Sequence, residues 1–226
     1  MIKRLFNAKH QLPVLRETAI ARPRLQVTFA RALEAPLTLV SAPPGFGKTT
    51  AALVAVAAAQ RTGQHAVAWL SLDEYDNEPG RFWYYFLAAL NTAAPGLGEN
   101  LARSEDAMPA QALLPELLGE IAAAGQSMLI VLDDYHCIVQ SEIHEGVALL
   151  VEHIPPNLRL MLITRADPPL PLHRLRARGQ LHEIRAADLR FSHTEAADLL
   201  NAGLRLGLTD SEVTSLAAQT EGWATG

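Results

Sequence analysis

The sequence predicts an α/β domain built on a parallel sheet with helices on both faces. Two observations predict it. Short apolar runs of strand length alternate with longer helical segments through residues 37–186. The runs are apolar almost without interruption, which is the pattern of strands buried on both faces rather than one.

The elements follow in order. Residues 1–25 are basic and irregular, broken by Pro13 and Pro23, and read as an arm laid on the domain. LTLVSA (37–42) reads as the first strand, and TTAALVAVAAAQ (49–60) as an alanine-rich helix. HAVAWLSL (65–72) is a second strand. The segment 79–94 opens with Pro79, suited to the first turn of a helix, and then runs helical. Residues 109–125 form another helix, closed by Gly125. MLIVLDD (128–134) is a third strand, and 142–154 is a helix ended by Pro155 and Pro156. LRLMLITR (158–165) is a fourth strand and LHEIRA (181–186) a fifth. Beyond it, 193–204 and 209–222 read as helices, the second capped by Thr209 or Asp210. Strands stop near residue 190, so the expected division is an arm (1–25), a main domain (26–190) and the start of a helical unit (191–226). The terminal GWATG falls where a helix is starting, as in a piece of a longer chain.

Composition narrows the function classes. About half of the 226 residues are apolar, enough to fill a core and too many for a disordered chain. No apolar run reaches the ~18 residues that span a membrane, and MIKRLFNAKHQ lacks the apolar stretch of a secretory signal. A single cysteine, Cys137, excludes an internal disulfide and fits the cytoplasm. A net charge of −5 argues against nucleic-acid binding by this segment itself. Only three basic residues are lysines (Lys3, Lys9 and Lys48), so a lysine inside an apolar region stands out.

Ala42, Pro43, Pro44, Gly45, Phe46, Gly47, Lys48 and Thr49 fit the Walker A spacing, with Ala42 in place of the usual first glycine. The chemistry explains the spacing. A strand delivers a tight loop whose glycines let backbone N–H groups turn inward around phosphates. The helix that follows presents its N-terminus to the anion. Lys48 would reach the outer phosphates, and Thr49 would place its hydroxyl on Mg²⁺. A Pro/Gly turn with an incidental lysine would need neither the apolar strand before the loop nor the helix after it. The expected nucleotide-binding set is therefore Pro44, Gly45, Phe46, Gly47, Lys48, Thr49 and Thr50.

In α/β sheets, ligands sit beyond the C-terminal ends of the strands. The third strand ends there in Asp133 and Asp134. Asp133 is expected to hold Mg²⁺ through water. Asp134, on the opposite side of the pleat, would orient or deprotonate an attacking water. His136 reads as an ordinary loop histidine. The fourth strand ends in Arg165, where a guanidinium can face a third phosphate when a strand is inserted between the first and third. The rival reading is a structural pair between Arg165 and Asp167. Arg174, Arg176 and Arg178 read as a solvated face.

Taken in order, SAPPGFGKTT, WLSLDEYDNEPGRFWYYFLAAL, VLDDYHCI, LITRADPPLPLHRLRARGQLHEIRAADLRF and EGWATG resemble the nucleotide-binding domain of the large MalT-type LuxR regulators. These belong to the STAND class of signalling NTPases. The resemblance implies an ATP/ADP switch with Mg²⁺, in which ADP holds a closed monomer and inducer with ATP favours a form that self-associates. It implies slow ATP hydrolysis, and DNA binding only through a C-terminal helix-turn-helix domain absent from this chain. It carries Lys48 and Thr49 over as the nucleotide pair, Asp133 as the magnesium aspartate and Arg165 as the γ-phosphate sensor. Arg22, in an Arg-Pro-Arg stretch, would lie at the adenine edge. Trp69, Phe82, Trp83 and Tyr84 read as core aromatics. The alternative is a catalytic P-loop ATPase or a small-molecule kinase, for which no acceptor motif is apparent.

Overall fold

The computed structural model describes residues 9–15, 20–61, 63, 65–102 and 109–219. The EGWATG segment and parts of the arm (1–8 and 16–19) lie outside the described residues. Five strands form one sheet: β1 (Leu37–Ser41), β2 (Ala66–Ser71), β3 (Met128–Asp133), β4 (Leu158–Thr164) and β5 (Leu181–Arg185). Their spatial order is β2-β3-β4-β1-β5, and every pairing is parallel. β4 therefore lies between β1 and β3.

Alternation along each strand divides the core in two. Leu37 and Leu39 of β1, Met128, Ile130 and Leu132 of β3, and Leu158, Leu160 and Leu162 of β4 face one layer. That layer is covered by α3 (Pro79–Ala93), α5 (Ala110–Ala124) and α6 (Ser141–Glu152), with the short α4 (Glu99–Ala102) beside α3. Val40, Leu129, Val131, Met161 and Ile163 face the other layer, against α1 (Pro23–Ala32) and α2 (Lys48–Arg61). In α2 the buried residues include Ala51, Ala52, Ala55 and Ala59, small enough to bring the helix close to the sheet.

α1 has no counterpart among the expected elements and runs through the expected boundary at residue 25. Pro23 stands in its first turn, and Leu25, Phe29 and Ala32 bury one face at helical spacing. Tyr84 reads in the sequence as a core aromatic. Tyr84 is exposed, because helical periodicity turns Phe82, Trp83, Tyr85 and Phe86 inward and leaves it on the outer face. The helix expected over 193–204 is a short α9 (His193–Ala197) followed by a π-helical turn over Asp198–Gly203. Two further short helices, α7 (Leu172–Ala177) and α8 (Ala186–Leu189), flank β5, and α10 spans Asp210–Gln219. Thr209 caps α10: its hydroxyl accepts from Glu212 N–H, and the Glu212 carboxylate accepts from Thr209 N–H at 2.8 Å. Among the described residues no helix is long and apolar enough to cross a membrane.

The arm residues 9–12 lie beside the open edge of β2. Lys9 accepts a hydrogen bond at its carbonyl from Ser71 N–H (2.8 Å), and its ammonium lies 2.7 Å from both Asp73 and Asp76. This covers an edge that would otherwise present unpaired backbone groups.

Candidate functional site

β1 ends at Ser41 and α2 begins at Lys48, so the glycine-rich loop occupies the six positions between them. Gly45 (φ 82°) and Gly47 (φ 70°) both adopt left-handed backbone, which a side chain would strain. Lys48 is buried at 8% exposure, and its ammonium donates to the carbonyls of Ala42 (2.7 Å) and Pro43 (2.9 Å). Burial, reinforced by the nearby Arg165 charge, lowers its pKa. Neutral carbonyls thus hold a buried cation at the base of the loop.

Alternation along β3 sends Asp133 to the same side as Leu129 and Val131, the α2 side of the sheet. There Thr49 Oγ1 donates to Asp133 Oδ1 at 3.1 Å, and Asp134 N–H donates to the same oxygen at 3.0 Å. Asp133 is 4% exposed. Burial first, and the Asp134 charge second, push its carboxyl up to about 6 against the pull of Thr49 and Lys48. A buried cation held by neutral carbonyls and a buried carboxylate held by a hydroxyl and an amide stand at one edge. An anion over the loop and a hard cation beside Thr49 and Asp133 would relieve both, so these residues fit a magnesium-bound polyphosphate.

Asp134 differs from the sequence reading. The strand stops at Asp133, and Asp134 turns into left-handed backbone (φ 56°) ahead of a 3-10 turn over Tyr135–Cys137. Pleat alternation therefore does not assign its direction. Its side chain lines the cleft above the loop together with Lys48, Thr49, Thr50 and Arg165. That cleft measures about 440 Å³, within the range of small-molecule sites. The rival pair between Arg165 and Asp167 is not formed. The Arg185 guanidinium takes Asp167 in a fork, and Ser41 Oγ donates to the same carboxylate. Among the described residues Arg165 has no carboxylate partner.

No family model matches the sequence. The HTH-type transcriptional regulator MalT of Serratia proteamaculans is 38% identical over 224 residues, 98% of this chain and 24% of that protein. The MalT of Yersinia enterocolitica is 35% identical over the same length and share. The chain thus spans about a quarter of the length of these relatives. In structure it is similar to a signal transduction ATPase with numerous domains (STAND) that carries a tetratricopeptide repeat sensor, from Pyrococcus horikoshii. The TM-score is 0.62 at 16% identity, covering 94% of this chain and 30% of that one. Cdc6p of Pyrobaculum aerophilum gives 0.55 at 14% identity, covering 83% and 49%. This chain has a P-loop NTPase fold and is similar over nearly its whole length to the MalT regulators. The structural likenesses, at such low identity, speak for the fold alone.

Four features of this P-loop domain are not legible in local sequence. Phe46, expected among the nucleotide-binding residues, is partly buried and packs against the layer that holds α1 and α2. Arg22, expected at an adenine edge, has its guanidinium committed elsewhere. It donates to the carbonyls of Leu189 and Arg190, both at 2.8 Å, and to Glu195 at 3.0 Å, and it stacks on the Phe191 ring. The cleft rim instead includes Pro13, Val14 and Leu15 of the arm, which no local signal tied to the glycine-rich loop. Asn77 was also missed. Its amide accepts from Val139 N–H (2.7 Å) and Gln140 N–H (3.2 Å) and donates to the Cys137 carbonyl (2.8 Å). It pins the segment that follows Asp134 to the turn after β2.

Proposed function

We propose that this chain is the ATP/ADP-binding switch domain of a MalT-type transcription activator and hydrolyses ATP slowly. The observation that carries this reading is the contact of Thr49 with the enclosed Asp133, beside the buried Lys48, at the mouth of one cleft. The similarity to MalT over nearly the whole chain supports the regulatory setting.

In this reading the amides of residues 44–50 cradle the phosphates, and Lys48 leaves the loop carbonyls to meet the outer ones. Thr49 and Asp133 hold Mg²⁺, which when bound neutralises phosphate charge. Asp134 orients a water, and Arg165 meets the third phosphate and so distinguishes ATP from ADP. The nucleotide-binding part extends over 26–190, and 191–226 begins a helical unit. Self-association accompanies the ATP state, DNA is bound through a helix-turn-helix domain outside this chain, and the setting is cytoplasmic.

Lys48→Ala tests the site. Loss of a charge-assisted phosphate contact costs about 1.5–3 kcal/mol, so ADP and ATP affinities should each fall at least about tenfold in titration calorimetry with Mg²⁺. Circular dichroism should stay that of the folded chain. Unchanged affinity would reject the assignment.

A further inference from the structure

Asp167 stands where three parts of the molecule meet. Ser41, the last residue of β1 and the root of the glycine-rich loop, donates to its carboxylate at 3.2 Å. Arg185, the last residue of β5, grips both of its oxygens. Arg165, two positions earlier, lines the cleft. Arg185 is itself held in place: its second partner, Glu183, is forked by Arg176 at 2.8 and 2.9 Å, and its backbone N–H donates to Asp188 at 2.8 Å. The Arg185 hydrogen bond keeps Asp167 below the usual carboxylate range, and that of Arg176, ahead of Arg185, brings Glu183 down to about 2.

Asp167 thus follows one guanidinium by two residues in the chain and is held by another. A carboxylate two residues from Arg165 would neutralise it unless otherwise engaged. Two charged donors from Arg185 and the Ser41 hydroxyl engage it. A bidentate guanidinium–carboxylate fork is the strong form of such a pair and fixes direction as well as distance.

We propose that Arg185 sets the ATP/ADP selectivity of the cleft by keeping Asp167 away from Arg165. The inference rests on the reading of Arg165 as the group that meets the third phosphate. Arg185 does not line the cleft and acts only through Asp167, so it is a positioning residue. Its removal releases Asp167 to pair with Arg165, and the cleft loses the charge that favours three phosphates over two. Removal of Asp167 as well takes away the competitor and returns Arg165 to the cleft.

The test measures the affinity of the chain for Mg·ADP and for a non-hydrolysable Mg·ATP analogue by calorimetry, with circular dichroism as the control for folding. Arg185→Ala should weaken the ATP analogue about tenfold and leave ADP within about twofold. Arg185→Ala combined with Asp167→Ala should restore most of the ATP affinity, and Arg185→Lys should fall between. A merely structural role predicts a lower melting temperature with an unchanged affinity ratio, and a double variant no better than the single; either result overturns the proposal. Arg165→Ala separates the two levels. If it leaves the ratio unchanged, the sensor reading falls and this inference falls with it. If it lowers the ratio while Arg185→Ala does not, only this inference falls.

Discussion

Asp133 is an ionisable group almost fully enclosed beside a second carboxylate, and its pKa stands at about 6. An unfolded aspartate titrates near 3.9, so between about pH 4 and about pH 6 the folded chain holds a proton that the unfolded chain has lost. Stability therefore falls as pH rises through that window, and the ionised carboxylate costs on the order of 3 kcal/mol above it. Asp133→Asn removes the charge and keeps the shape. The variant should be more stable than the parent at about pH 7.5 and equal to it at about pH 4, by denaturant titration at the two pH values. A difference that does not change with pH would show that burial of the charge is not the cause. Mg²⁺-dependent nucleotide binding should move the other way: in the parent it strengthens as pH rises through about 6, and in the variant it stays weak throughout. A residue that lowers stability where it serves binding is the expected signature of a functional site.

At the scale of elements, α3, α5 and α6 converge on one glycine. A Cβ on Gly146 of α6 would lie 2.5 Å from Trp83 Cζ2 of α3 and 2.8 Å from Ala110 Cβ of α5. Gly146→Ala gains up to about 1 kcal/mol of helix propensity. It forces an indole that is 2% exposed to move inside a filled core, and overpacking costs about 1–3 kcal/mol. The net expectation is a loss of about 1 kcal/mol or more in chemical denaturation. An equal or higher midpoint would mean that Trp83 has room to yield. The same core shows why most helices were legible and one aromatic was not. Pro79 and Gly125 mark their helix ends locally, and Gly125 closes α5 in left-handed backbone. Whether Tyr84 or Tyr85 faces inward depends on how α3 is rotated against β2, and the run Phe82–Phe86 is aromatic on every side.

At the scale of the whole molecule, the start of α1 is tied to the segment after β5 across more than 160 residues. Arg22 reaches Glu195, Leu189 and Arg190, and Arg24 donates to the carbonyls of Asp188 (2.7 Å) and Arg190 (2.8 Å). Glu195 is 6% exposed, and its carboxylate also accepts from Ser192 N–H. Arg22→Ala leaves the buried Leu189 carbonyl without its charged donor and Glu195 with only the longer charged contact to Arg24 (3.4 Å). The expected cost is roughly 2–4 kcal/mol. Hydrogen exchange should show lost protection over residues 189–197 while the amides of β3 remain slow. Uniform loss across both regions would show that the clasp is part of the global core rather than a local fastening of the C-terminal segment.

The sequence by itself determined the strands, their parallel arrangement, the glycine-rich loop and the acidic strand end, because each is written in contiguous residues. Apolar runs, glycines before a lysine and paired carboxylates need no knowledge of distant chain. It also placed Arg165 at a strand end, since LMLITR is local. Only the tertiary structure decided which charged groups pair. Asp167 has a guanidinium two residues away and is taken by one 18 residues on, because β1 lies between β4 and β5 and brings Ser41 and Arg185 to the same edge. Arg22 is paired the same way: its partners, Leu189, Arg190 and Glu195, arrive from more than 160 residues on. Side-chain pairing is set by distances that the sheet order creates, and sheet order is a property of the folded whole.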